Sequence, residues 1–152
     1  MIVTRRTSIR LAIAGVALIA TARAALAGKV NADSRGIAIK GYDPVAYFTE
    51  GAPVEGSDDF TATHDGATYR FASAANRDAF LADPAKYAPQ YGGFCAYAVA
   101  HDATAPIDPE AFTVLDGKLY LNYSDHVRAQ WRNDAAKFIT RANENWPGLS
   151  GQ

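Results

Sequence analysis

Cys95 is the only cysteine in a chain of 152 residues, set directly behind Gly92-Gly93-Phe94 and among the tyrosines Tyr91 and Tyr97. A thiol supports three kinds of role. As a thiolate it is a soft metal ligand or a redox nucleophile; as a neutral group in apolar surroundings it is a small hydrophobe. All three stay open for Cys95. Neither Lys nor His adjoins it to favour the thiolate, so an activating cation has to come from the fold. With no second cysteine the chain can form neither an internal disulfide nor a resolving pair.

The other polar candidates are weaker. His101 and Cys95 are the two transition-metal ligand types of this neighbourhood, but six residues of extended strand would hold them about 20 Å apart. They share an ion only if the chain doubles back after Val99, and His101 otherwise reads as a loop histidine in solvent. His64 precedes a turn and His126 opens a helix, without metal-ligand spacing between them. Tyr42, Tyr47, Tyr87, Tyr91 and Tyr97 form an aromatic-rich set able to wall a cleft or to fill a core. Asp43-Pro44 reads as a helix start, with the carboxylate capping and proline at the first position. Asp108-Pro109 reads as a turn or cap. No Ser-His-Asp set, nucleophile elbow, phosphate-binding glycine loop or close carboxylate pair stands out. The chain therefore reads as non-catalytic.

The elements that must position these residues are those of an α+β domain. Asp65-Gly66 and Asp116-Gly117 each lie between short strand-like runs, where Asp-Gly favours a two-residue type I′ hairpin. The first turn pairs His64 with Ala67, Ala62 with Tyr69 and Phe60 with Phe71. The second pairs Phe112 with Leu121 and Val114 with Leu119 on a buried face. The apolar run Phe94 to Val99 reads as a further strand of one small antiparallel sheet, with Cys95, Tyr97 and Val99 on one face. Between the hairpins Ser73 caps a helix from Ala74 that breaks at Asp83-Pro84, where a second short helix begins. Ser124 caps a long C-terminal helix, Asp125 to Asn145, with a kink at Asn133-Asp134 and its end at Pro147-Gly148.

The first residues carry an export signature: Arg5, Arg6 and Arg10, an apolar run from Leu11 to about Ala22, and Ala25-Leu26-Ala27 before Gly28. Residues 1–27 read as a cleaved leader, which leaves no membrane anchor and places residues 28–152 as a single domain in the periplasm or medium. Thr4-Arg5-Arg6-Thr7-Ser8-Ile9-Arg10 also resembles a twin-arginine signal, apart from Ser8 where a bulky apolar residue is usual. Of the 15 basic and 16 acidic side chains in the whole chain, the leader takes four arginines and no acid, so the remainder is acidic. That balance disfavours nucleic acid and anionic lipid as partners.

Three stretches, "GYDPVAYF" (Gly41 to Phe48), "DGATYRFASAANRDAFLADPAKYAPQYGGFCAYAV" (Asp65 to Val99) and "DGKLYLNYS" (Asp116 to Ser124), resemble exported YHS-domain proteins of bacteria, a branch that includes selenoproteins. The resemblance implies a small α+β domain of the kind attached to copper-handling pumps and monooxygenase subunits, with cysteines as metal ligands. At the matching positions this chain has Ala46, Ala72 and Asn76, so no zinc-type or Cu(I)-type thiolate cluster can be assembled.

Three functional readings follow. The leading one is a periplasmic, non-catalytic binding module handling a transition metal such as copper, with Cys95, Tyr91, Tyr97, Asp43 and Tyr47 as ligand-binding candidates and His101 as a distant metal candidate. The second is a thiol redox protein acting through Cys95 on an external thiol. The third is an interaction module in which Cys95 only packs. A metal-handling or redox protein would be the partner in the first two.

Overall fold

The computed structural model describes residues 29–151. The leader expected over residues 1–27 lies outside the described residues. Helix α1 spans Ala46–Thr49, strands β1 (Ser57–His64) and β2 (Ala67–Phe71) form the first hairpin, and α2 (Ala74–Ala82) and α3 (Pro84–Tyr87) follow. Helix α4 spans Ala96–Ala100, β3 (Asp108–Leu115) and β4 (Lys118–Asn122) form the second hairpin, and α5 (Asp125–Asn133) and α6 (Ala135–Ser150) close the chain. Among the described residues no helix is long and apolar enough to cross a membrane.

Both hairpins form where Asp-Gly asks for them, with positive φ at Asp65 (49°), Gly66 (79°), Asp116 (51°) and Gly117 (73°). They make two separate two-stranded antiparallel sheets rather than one. His64 pairs with Ala67 and Ala62 with Tyr69 as expected, but an irregularity between Ser57 and Thr61 sets Ser57, and not Phe60, opposite Phe71. In the second hairpin Phe112 faces Leu121 and Val114 faces Leu119. Val114 is nevertheless 38% exposed, so it does not share the burial of Leu119 opposite it.

The run Phe94 to Val99 is not a strand. It leads into α4, with Cys95 as the residue before the helix and its carbonyl accepting from Val99 N–H at 3.0 Å. Six apolar residues cannot distinguish strand from buried helix by period, and the alanines Ala96, Ala98 and Ala100 favour the helix. Helical geometry puts Cys95 and Val99 one turn apart and sends Tyr97 to another side.

Ser73 and Ser124 cap α2 and α5, their hydroxyls accepting from Asn76 N–H at 3.1 Å and Val127 N–H at 3.2 Å. The expected single C-terminal helix is two, because Asp134 has extended φ (−149°) and separates α5 from α6. Pro147 does not end α6, which runs to Ser150 and buries Leu149. Proline both removes its own amide bond to the previous turn and crowds the carbonyl four residues back, and the burial of Leu149 offsets that cost.

The core has two clusters. Tyr47, Tyr69, Phe71, Phe80, Cys95, Leu119 and Leu121 belong to the first. Tyr91, Ala96, Val99, Tyr120, Trp131, Ala142 and Leu149 belong to the second. Strand β4 separates them: its alternate side chains, Leu119 and Leu121 against Tyr120, enter different clusters, so both of its faces are covered. Phe80 is fully buried and stacks against Tyr69 and Phe71 at 5.1 and 5.2 Å between ring centres.

Candidate functional site

Asp43 is a completely buried carboxylate with no cationic partner among the described residues. Its Oδ1 accepts from the N–H groups of Val45 (2.8 Å) and Ala46 (3.3 Å), closing the turn that leads into α1, but the helix starts at Ala46 behind Val45 and not at Pro44 as expected. Its Oδ2 accepts from Ala72 N–H (2.9 Å) and from the Asn76 side-chain amide (2.7 Å). One side chain thus ties the start of α1 to the end of β2 and the first turn of α2.

The same four contacts decide what this place can bind. Ala46, Ala72 and Asn76 are the positions at which the resemblance puts ligand cysteines, and the fold brings all three around Asp43. They present two methyl groups and an amide. A carboxylate has about four lone-pair sites, and here each faces a donor. The residues present do not fit a thiolate-bound metal. Among the described residues, no group of three or more His, Cys, Asp or Glu side chains is placed to hold an ion.

Cys95 is 1% exposed within the first cluster. Its thiol points at Asn122 Oδ1, 3.5 Å away, and the same oxygen accepts from Tyr97 N–H at 3.1 Å. Tyr97 N–H is an unambiguous donor, so the amide orientation is fixed and Asn122 Nδ2 is left buried without a partner among the described residues. His101 stands at the far end of α4, exposed, with Nδ1 2.7 Å from Tyr97 O. The helical rise shortens the expected separation of Cys95 and His101 to roughly 9 Å along the axis, still too far for one ion. His64 closes β1 at the hairpin tip, its ring edge-on to Phe80, and His126 is exposed on α5.

The tyrosines do not wall one cleft. Tyr47 is buried, donates to Pro109 O at 2.8 Å and packs on Phe112. Tyr87 meets Phe48 edge-on, and Tyr97 stacks with His101 and Phe138. Tyr91 lines an open cleft of about 440 Å³ between α3, the turn Gln90–Gly93 and α6.

Ala88, Pro89, Gln90, Asn143 and Trp146 complete most of that cleft's wall, and none of its lining side chains is charged. Tyr91 has left-handed backbone (φ 58°), a conformation that costs a non-glycine residue about 1–2 kcal/mol. Its hydroxyl donates to Asn143 Oδ1 at 2.9 Å, and its ring meets Trp146 edge-on at 6.1 Å. Gly92 continues the left-handed path at φ +60°; a Cβ there would lie 2.0 Å from Lys29 O, so the segment from Lys29 packs tightly against the turn. The spacing of Asn143 and Trp146, one turn apart on α6, is the signal that sequence reasoning passed over by ending the helix at Asn145.

Burial raises the phenols of Tyr47, Tyr69 and Tyr91 well above the ordinary value of 10.0. A raised folded value means these neutral phenols contribute stability below pH ~10 that is lost as pH rises further. Tyrosine ionisation followed by ultraviolet absorbance is therefore expected in two parts. Tyr47, Tyr69 and Tyr91 form the later part, ionising together with loss of near-ultraviolet circular dichroism. Titration of all eight tyrosines near pH 10 with the fold intact would contradict this.

Residues 45–91 match the family model of the YHS domain. The match runs from the entry to α1 as far as Tyr91. It includes Ala46, Ala72 and Asn76 and ends before Cys95, the second hairpin, α5 and α6. No curated protein and no solved structure matches the chain.

Proposed function

We propose that this chain is an exported, non-catalytic binding module, in which the YHS domain serves as scaffold and Cys95 as a packing residue. The observation that carries the proposal is the saturated carboxylate of Asp43 at the point where Ala46, Ala72 and Asn76 meet. A place built to hold a metal presents free lone pairs, whereas here they are spent on joining three elements. Copper handling, which the resemblance implies, would have to rest on Cys95, whose thiol has the Asn122 amide as its hydrogen-bond partner among the described residues. A redox role would need the thiol to meet an external partner, and it is 1% exposed. Export rests on the leader-like residues 1–27, and N-terminal sequencing of the periplasmic protein is expected to begin at Gly28.

The test compares wild type with Cys95→Ala. Titration with Cu(I), Cu(II) and Zn(II) under reducing conditions is expected to show no tight site. Alkylation of Cys95 is expected to be slow in buffer and fast in denaturant. Cys95→Ala is expected to cost about 1–2 kcal/mol, the scale of removing one small buried group. Stoichiometric metal binding lost in the variant would establish the copper reading instead. Fast alkylation of the native protein at low pH would establish the redox one.

A further inference from the structure

We infer that the cleft between the Gln90–Gly93 turn and α6 is a saccharide site, taking a neutral sugar ring against the half-buried Trp146, which the buried Tyr91 backs, with its hydroxyls on Gln90 and Asn143. The inference rests on the binding-module reading and names where such a module holds its ligand.

Four observations carry it. The cleft, at about 440 Å³, lies in the size range of small-molecule sites. All its lining side chains are neutral, which gives no counter-charge to a phosphate, carboxylate or amine. Its wall mixes aromatic and proline surface with two side-chain amides, so a purely apolar ligand would leave Gln90 and Asn143 desolvated against it. Finally, Tyr91 is held in a left-handed conformation at the centre of the wall, and such local strain tends to persist where a site uses it.

The polar groups favour hydroxyls over peptide. The Tyr91 hydroxyl donates to Asn143 Oδ1, which orients that amide and leaves its NH₂ group to donate. Gln90 makes no side-chain hydrogen bond to any described residue and offers both a donor and an acceptor. A sugar hydroxyl is donor and acceptor at once and answers every one of these groups. A proline-rich segment, the other ligand suited to Trp, Tyr and Pro surface, brings carbonyl acceptors but no N–H from its prolines. The apolar C–H face of a pyranose meets the exposed part of Trp146, an amphipathic ring suited to a partner with one dry and one wet side.

The experiment uses the protein as processed by the expressing cell, labelled with ¹⁵N, and follows the indole and side-chain amide resonances. The probes are cellobiose, maltose, lactose and chitobiose, each raised to about 10 mM, the weak end of specific recognition, with a proline-rich decapeptide as the competing chemistry. At least one disaccharide is expected to shift the Trp146 indole and the Gln90 and Asn143 amides saturably. Trp146→Ala and Gln90→Ala are each expected to weaken that binding roughly tenfold or more. Trp146→Phe, which keeps an aromatic surface, is expected to lose less, and Cys95→Ala nothing. Three results would overturn the inference: no disaccharide shifting these resonances, binding indifferent to Trp146→Ala in a folded variant, or saturation by the peptide instead. The metal and alkylation experiments do not depend on the cleft, so its failure would leave them to judge the binding-module reading separately.

Discussion

Replacing Asp43 with alanine is expected to destabilise the protein by about 3–5 kcal/mol, the scale seen when one partner of a buried charged contact is removed. The change strands the N–H groups of Val45, Ala46 and Ala72 and the amide of Asn76 at one stroke. Each bond to a charged acceptor is worth about 1.5–3 kcal/mol, and the penalty for the donors left behind falls on whichever of them water cannot reach. Ala72 is exposed and Asn76 half-buried, so solvent relieves part of the cost on that side, whereas Ala46 is completely buried. Asp43→Asn keeps an oxygen for Val45 and Ala46 but turns an NH₂ group toward two donors. Asn76 can reverse its own amide to accept from it, and Ala72 N–H cannot. The expected loss is therefore smaller, about 1–3 kcal/mol. Against a typical total of about 5–15 kcal/mol, the alanine variant lies near the limit of folding. Denaturant melts of the two variants check both the size and the order. A loss below about 1 kcal/mol for Asp43→Ala would show that the carboxylate does not hold these elements together.

The second large effect is expected at Trp131, which is completely buried on α5 and packs its ring 4.9 Å from that of Tyr120. Trp131→Ala leaves a cavity in the second cluster and is expected to cost about 3–5 kcal/mol. Trp131→Phe is expected to cost far less than its change in volume suggests. The indole N–H is buried and finds no partner among the described residues, so phenylalanine removes an unsatisfied donor while leaving a gap. The two opposing changes put the expected loss at about 1–2 kcal/mol. A loss for Trp131→Phe well above about 2 kcal/mol would mean that the N–H is satisfied in solution by water. The alanine change should also reach the cleft, since Trp131 supports Tyr120 and the Tyr120 ring meets Tyr91 at 6.1 Å. A shift of the Trp146 indole resonance in Trp131→Ala would report it.

Local chemistry was legible where a residue type acts on its immediate neighbours. Asp65-Gly66 and Asp116-Gly117 turn where type I′ geometry needs positive φ. Ser73 and Ser124 cap, and Asp43 accepts from the next turn. The stretch from Phe94 to Val99 was misread because its length falls below what periodicity can resolve, and the alanines in it are the cue that favours a helix. The break at Asp134 was visible as a weak point, but whether a weak point bends or separates two helices depends on what each packs against. Helix α5 meets both strands of the second hairpin, while α6 lies along α4. Pro147 was read as a stop because its local cost is real, yet the burial of Leu149 outweighs it.

The sequence by itself determined the class of the fold, the two hairpins, the capped helices and the absence of ligand cysteines at Ala46, Ala72 and Asn76, since each depends on residue identity or on contacts within one turn. Only the tertiary structure decided the sites. Asp43 meets Ala72 and Asn76 across 29 and 33 positions, Cys95 meets Asn122 across 27, and Tyr91 meets Asn143 across 52. Such pairings are chosen by packing of whole elements and leave no local period to read. The aspartate that reads as a helix cap therefore also ties the entry to α1 to the end of β2 and the first turn of α2. The lone thiol that first invites chemistry lies in the core, and the cleft formed where the Gln90–Gly93 turn meets α6, among amides and rings that no motif joins.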